Sequence, residues 1–256
     1  MSRLIEQLKR ARESTGGGMG FAPRPTTASG PGLAVLAAVE ASLAGSLGER
    51  LSAQVDAVVL RSKDPGAWAK PEERADLWGV ELTSDAAGFL ATLREQGCDF
   101  LLFPPDASVE LLAEESLGRL LSVDPHASDG ELRAMGSLDV DAVVVPLPDL
   151  RALTLGDLAA LRRVMLLTGR PTILRCAGLP AEALLVPLRD AGAAGLLVEV
   201  PGEAALDPLA HLREQAQRLP PSRRRSERLD ASPQLGQSGG GARSFGHVRR
   251  RPMTPS

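Results

Sequence analysis

Ala142-Val-Val-Val-Pro-Leu147, Thr172-Ile-Leu-Arg-Cys-Ala177 and Gly195-Leu-Leu-Val-Glu-Val200 are three short apolar runs with helix-like sequence between them. The first intervening helix is expected near 155–167 and turns at Gly169-Arg-Pro171; the second ends at Gly192. Runs of Val, Leu and Ala with little polar alternation fit strands covered on both faces, as parallel strands are. Toward the N-terminus five more runs keep the beat, at 33–39, 56–61, 78–82, 100–103 and 119–123, and the eight starts lie 19 to 30 residues apart. Eight strand–helix units in series predict a (β/α)8 barrel. An open doubly wound sheet would share these compositions. Eight evenly paced units close a barrel, however, and no nucleotide-binding glycine fingerprint marks a switch point. The barrel puts any site at the C-terminal strand ends without saying what the site does.

The flanking sequence divides the chain into a helix and Gly/Pro-rich loop (1–32), the barrel (33–219) and an Arg-rich tail (220–256). Leu4, Ile5, Leu8 and Ala11 stand at helical spacing among charges, so residues 3–13 are expected to form an amphipathic helix packed across one end of the barrel. Strand 2 is followed by Pro65-Gly-Ala-Trp-Ala-Lys-Pro-Glu-Glu-Arg74, the weakest helix of the set. Ser84 is expected to cap the helix after strand 3, with Phe89, Leu90 and Leu93 as its apolar stripe and Gly97 as its stop. A helix carrying Leu111 and Leu112 follows strand 4, one begins at Ser128, and the last runs to about Arg218. Trp78 opens strand 3 and reads as packing.

The chain has 256 residues and 43% hydrophobic content, enough for one sizeable core. Cys98 and Cys176 sit in apolar contexts and read as buried thiols, and CxxC metal patterns are absent. His126, His211 and His247 are too scattered to suggest a His-rich metal site. No apolar run approaches the ~20 residues of a membrane span, and the charged start Met1-Ser-Arg-Leu-Ile-Glu lacks a signal-peptide core, so a cytoplasmic protein is expected. The net charge of −3 hides an asymmetry: from Ser222 onward eight Arg oppose Glu227 and Asp230, a tail of +6 on a body of −9. Apolar residues are scarce there, so disorder is expected. Phe245 is its one aromatic, which does not support base stacking and makes nucleic acid an unfavoured partner.

Polar residues gather at the strand ends: Glu40, Arg61, Lys63, Glu81, Asp106, Asp124, His126, Arg175 and Glu199. Closure should bring most of them to one rim. Asp124-Pro-His126 sets a carboxylate and an imidazole two residues apart, a pattern that can serve acid–base chemistry or a divalent metal, or be an ordinary Asp-Pro turn. Lys63 stands beside Asp64 in a Pro/Gly-rich loop, where a solvated amine is the simpler reading than a desolvated catalytic one. Glu40, Glu81 and Glu199 end apolar runs, with Arg61 and Arg175 available to pair with them. They read as proton-transfer groups or as an ion-pair ring at the mouth.

Arg170-Pro-Thr-Ile-Leu-Arg-Cys-Ala-Gly178 and Leu188-Arg-Asp-Ala-Gly-Ala-Ala-Gly-Leu-Leu-Val198 resemble the last third of phosphate-binding, aldolase-type TIM barrels. The resemblance implies a phosphate held by backbone N–H groups of a Gly-rich turn after strand 7 and a turn after strand 8, near a short helix N-terminus. Two departures stand out. The strand-7 turn has the single Gly178, and strand 8 ends Glu199-Val-Pro201-Gly202, a poor phosphate neighbourhood.

Two functions follow. One is a lyase, aldolase or isomerase acting on a small anionic metabolite, with Asp124, His126, Glu81, Glu40 and Glu199 as catalytic candidates and Arg61, Lys63, Arg175 and Gly178 binding substrate. The other is a non-catalytic or degenerate barrel that binds a ligand or protein partner. No pattern names a cofactor, a metal or an oligomeric state. An ordered ligand or phosphate at the rim favours the first function; a rim filled by its own Arg–Glu pairs, with no pocket, favours the second.

Overall fold

The computed structural model describes residues 2–15, 32–62, 77–82, 87–147 and 153–220. The long loop before strand 1, Lys63, the Pro-interrupted segment after strand 2, the Ser84 cap and the Arg-rich tail lie outside the described residues.

Eight parallel strands close a barrel in sequential order, β1 (Ala34–Glu40), β2 (Ala57–Arg61), β3 (Trp78–Glu81), β4 (Phe100–Phe103), β5 (Gly118–Ser122), β6 (Ala142–Pro146), β7 (Thr172–Cys176) and β8 (Gly195–Glu199). β8 returns to β1 with Ala34 opposite Gly195 and Ala38 opposite Glu199. The (β/α)8 TIM barrel is therefore realised, with each strand within a residue or two of its sequence run.

The helices are α1 (Arg3–Thr15), α2 (Ala41–Gln54), α3 (Leu90–Glu95), α4 (Asp129–Ser137), α5 (Leu155–Thr168), α6 (Glu182–Ala191) and α7 (Leu206–Gln217). Local chemistry sets their ends. Ser128 and Glu131 form a capping box on α4, Thr154 and Asp157 one on α5, and Gly169 ends α5 in the left-handed region. The segment carrying Leu111 and Leu112 is a 3-10 helix, Val109–Ala113, rather than an α-helix. Pro104 and Pro105 occupy the start of the connection, which leaves room for only a tight turn that buries Leu111.

Side chains alternate along each strand, and this divides the core in two. Val35, Ala37 and Val39 face the helices, in one cluster with Leu101, Val143, Leu174 and Leu196. Leu36, Ala38, Val59, Phe100, Leu102, Leu120, Val144, Ile173 and Leu197 fill the barrel interior with Leu4, Ile5 and Leu8 of α1. Burying each of those three α1 side chains contributes about 1.5–3 kcal/mol.

α1 closes the N-terminal end of the barrel. Asp99, the residue before β4, accepts from Ser2 Oγ at 2.6 Å, Arg3 N at 2.9 Å and Leu4 N at 3.1 Å, which satisfies donors of the first helical turn. Gly118 permits the contact, since a Cβ there would stand 2.7 Å from Ser2 Oγ and 2.9 Å from Ile5 Cγ1. Asp56 and Asp141 precede β2 and β6 in the same way. Asp56 accepts from Val35 N at 2.8 Å, and Asp141 from Arg119 N at 3.0 Å. Buried Arg119 adds ion pairs to Asp139 and Asp141. Desolvation opposes its charge, but the hydrogen bonds to Asp141 and Asp139 outweigh it and raise its pKa. This end is built for stability, and it leaves the C-terminal end as the open mouth.

Candidate functional site

The alternation that puts Leu36 and Ala38 inside the barrel continues to Glu40, and the same period carries Arg61, Glu81, Arg175 and Glu199 inward at their strand ends. These five side chains form one continuous chain of charge. Arg175 meets Glu81 across the barrel through two bonds, Nη1 to Oε1 at 2.5 Å and Nη2 to Oε2 at 3.0 Å. Its Nε donates to Glu199 Oε1 at 2.8 Å. Arg61 holds the other oxygen of Glu199 through Nη1 at 2.5 Å and Glu40 through Nη2 at 2.8 Å. Burial opposes the charge on Arg175, but the hydrogen bonds and charge of Glu81 and then of Glu199 outweigh it, so its pKa is raised. The Nε of Arg61 is buried and has no hydrogen-bond partner among the described residues.

Strands β1, β2, β3, β7 and β8 thus supply the charges. Toward β4 and β5 the mouth is different. There a cavity of about 310 Å³ is lined by Glu81, Leu82, Leu102, Phe103, Pro104, Asp106 and Ser122. Asp106 lies in the turn after β4, which Ala107 N closes onto Pro104 O at 3.2 Å.

The other sequence candidates lie apart from the charge chain. Asp124 and His126 are at the same end of the barrel but exposed on the turn after β5. Asp124 Oδ1 accepts from the backbone N–H of His126 at 2.8 Å, as an Asx-type turn does. Gly178, after β7, is exposed, a Cβ there would meet nothing within 4 Å, and its φ is not positive. After β8, Glu203 opens a three-residue 3-10 turn and pairs with Arg50 of α2. Among the described residues no group of three or more His, Cys, Asp or Glu side chains is placed to hold a metal ion.

Cys98 and Cys176 are buried thiols that form no disulfide. Burial pushes the Cys176 pKa up to about 12, which removes it as a nucleophile at neutral pH. Among the described residues no helix is long and apolar enough to cross a membrane.

The sequence reading did not identify Ser122 as part of a site and left Asp106 as one strand-end group among many. Ser122 was legible from its period, two residues beyond inward-facing Leu120. The cavity between the charge chain and β4 was not legible, because it depends on which carboxylates the arginines pair with.

The fold is similar to that of tryptophan synthase from Mycobacterium tuberculosis, with a TM-score of 0.61 at 15% sequence identity, over 86% of this chain and 99% of that one. A mutant tryptophan synthase alpha-subunit from the hyperthermophile Pyrococcus furiosus is similar at a TM-score of 0.54 and 16% identity, over 74% of this chain and 98% of that one. No protein-family model and no curated protein matches the chain. At such identities the likeness is one of fold.

Proposed function

We propose that this chain is a ligand-binding, catalytically degenerate barrel, in which the centre of the mouth is a structural charge chain and a small molecule enters beside it, over β3–β5. The observation that carries this reading is that each guanidinium at the strand ends already meets two carboxylates. An incoming anion would have to displace a carboxylate from a partly buried arginine and leave it without its counter-charge, a loss between that of breaking an exposed ion pair and that of breaking a buried one. Three carboxylates against two guanidiniums also give the charge chain, among the described residues, a negative balance, which repels anions.

The second reading is an enzyme of lyase, aldolase or isomerase type acting on a small anionic metabolite. Glu40, Glu81, Glu199, Asp124 and His126 would transfer protons, and Arg61, Lys63, Arg175 and Gly178 would hold the substrate. The Nε–H of Arg61, unpartnered among the described residues, favours it, and the shared fold adds support by analogy only. A thermal-shift screen followed by calorimetry separates the two readings. Sugar phosphates, flavin and divalent metals form one arm, and uncharged and cationic small molecules the other. Protection by the second arm alone is the expected result. Saturable binding of a sugar phosphate, lost in Arg61→Met, would overturn the degenerate-barrel reading in favour of the enzyme.

A further inference from the structure

We infer that the cavity over β3–β5 takes a small organic cation, a primary amine on an apolar body; this rests on the ligand-binding reading above. The walls divide by chemistry. Leu82, Leu102, Phe103 and Pro104 supply apolar surface, while Glu81, Asp106 and Ser122 supply oxygen, and among the described residues no lysine, arginine or histidine lines it. About 310 Å³ is at the small end of ligand pockets and has room for roughly ten waters.

The oxygens differ in commitment. Both Glu81 oxygens face Arg175, yet each carboxylate oxygen has a second lone pair to offer. Asp106 is exposed, and among the described residues its carboxylate has no hydrogen bond or ion pair. The Ser122 hydroxyl likewise has no partner there. An ammonium carries three donors and no acceptor, which suits a rim that offers carboxylates from β3 and the turn after β4 and a hydroxyl from β5. The apolar walls then cover the ligand's hydrocarbon body. An anion would meet Asp106 and the net negative charge chain, with no uncommitted cation among the described lining residues. A neutral alcohol would fit the space but gain no charge-assisted bond.

The test uses three probes with one body, phenethylamine, 2-phenylethanol and phenylacetate, titrated into the full chain by NMR and calorimetry at low ionic strength, where screening is weak. The amine is expected to bind about tenfold more tightly than the alcohol, the gain of one charge-assisted contact at a solvated rim, with phenylacetate weakest. Asp106→Asn is an exposed loop substitution that leaves the packing alone. It should reduce the amine's advantage about threefold or more and leave alcohol binding unchanged. Equal binding of amine and alcohol, tighter binding of phenylacetate, or an amine preference unmoved by Asp106→Asn would overturn the inference while leaving a binding barrel in place. Failure of all three probes to bind would overturn the cavity as a ligand site and with it the ligand-binding reading.

Discussion

Replacing Arg175 by Met removes the link between the two halves of the charge chain while keeping most of the side-chain volume. Glu81 and Glu199 would then face each other's surroundings without the guanidinium that holds both. The three side chains are 24, 25 and 22% exposed. That places them between exposed pairs, worth about 0–1 kcal/mol, and fully buried ones, whose breakage costs about 3–5 kcal/mol. The substitution should therefore destabilise the fold by about 2–3 kcal/mol. For a domain of this size that lowers the melting temperature by about 5–10 °C. Urea and thermal melts of wild type, Arg175→Met, Glu81→Gln and the double variant complete a cycle. The double variant should cost about 1–2 kcal/mol less than the sum of the singles, because neither partner is left charged and alone. A cost below about 0.5 kcal/mol for Arg175→Met, the level of an ordinary surface change, or strict additivity in the cycle, would refute the coupled chain.

Other outcomes follow from the same contacts. Asp99→Ala should cost about 2 kcal/mol and speed amide exchange in α1 while the strands stay protected, since Ser2, Arg3 and Leu4 lose their common acceptor; unchanged exchange in α1 would contradict it. Gly79→Ala should destabilise by about 1–3 kcal/mol or more, because its Cβ would lie 2.3 Å from Phe100 O and 2.5 Å from the Phe100 ring. Gly178→Ala should melt within about 0.5 kcal/mol of wild type, since nothing crowds that position. Thiol titration of the native protein at neutral pH should leave Cys176 unmodified until the chain is unfolded, given its burial and a pKa of about 12; rapid labelling of the folded protein would show an open path to β7.

The fold was legible because the strands of a parallel barrel are covered on both faces, and that demand appears as uninterrupted apolar runs. β4 matches its run, Phe100–Phe103, while β5 begins one residue early, at Gly118, which pairs with Phe100. The Val-Asp-Ala and Cys-Asp-Phe sequences at Asp56, Asp99 and Asp141 carried a signal that the sequence reading passed over. Each aspartate precedes an even-numbered strand and accepts from the backbone or first turn of an earlier element. Of the site, the convergence of Glu40, Arg61, Glu81, Arg175 and Glu199 was legible, since all end apolar runs in the inward phase. Their pairing was not, because Arg175 reaches Glu81 across the barrel from β7 to β3, a partner that no sequence spacing indicates. Asp124 and His126 were chosen for their chemistry, and the structure gives the Asp124 carboxylate to a backbone amide.

The central claim, that the arginines of the mouth belong to the fold and are not held ready for a substrate, is tested most directly by an NMR titration. The side-chain Nε–H signals of Arg61 and Arg175 are followed while glycerol 3-phosphate is added at low ionic strength. The Nε–H of Arg175, donated to Glu199 at 2.8 Å, should exchange slowly, and neither arginine signal should move as the anion is raised. Saturable shifts in both signals would mean that the guanidiniums leave their carboxylates to hold an anion, and would contradict the claim.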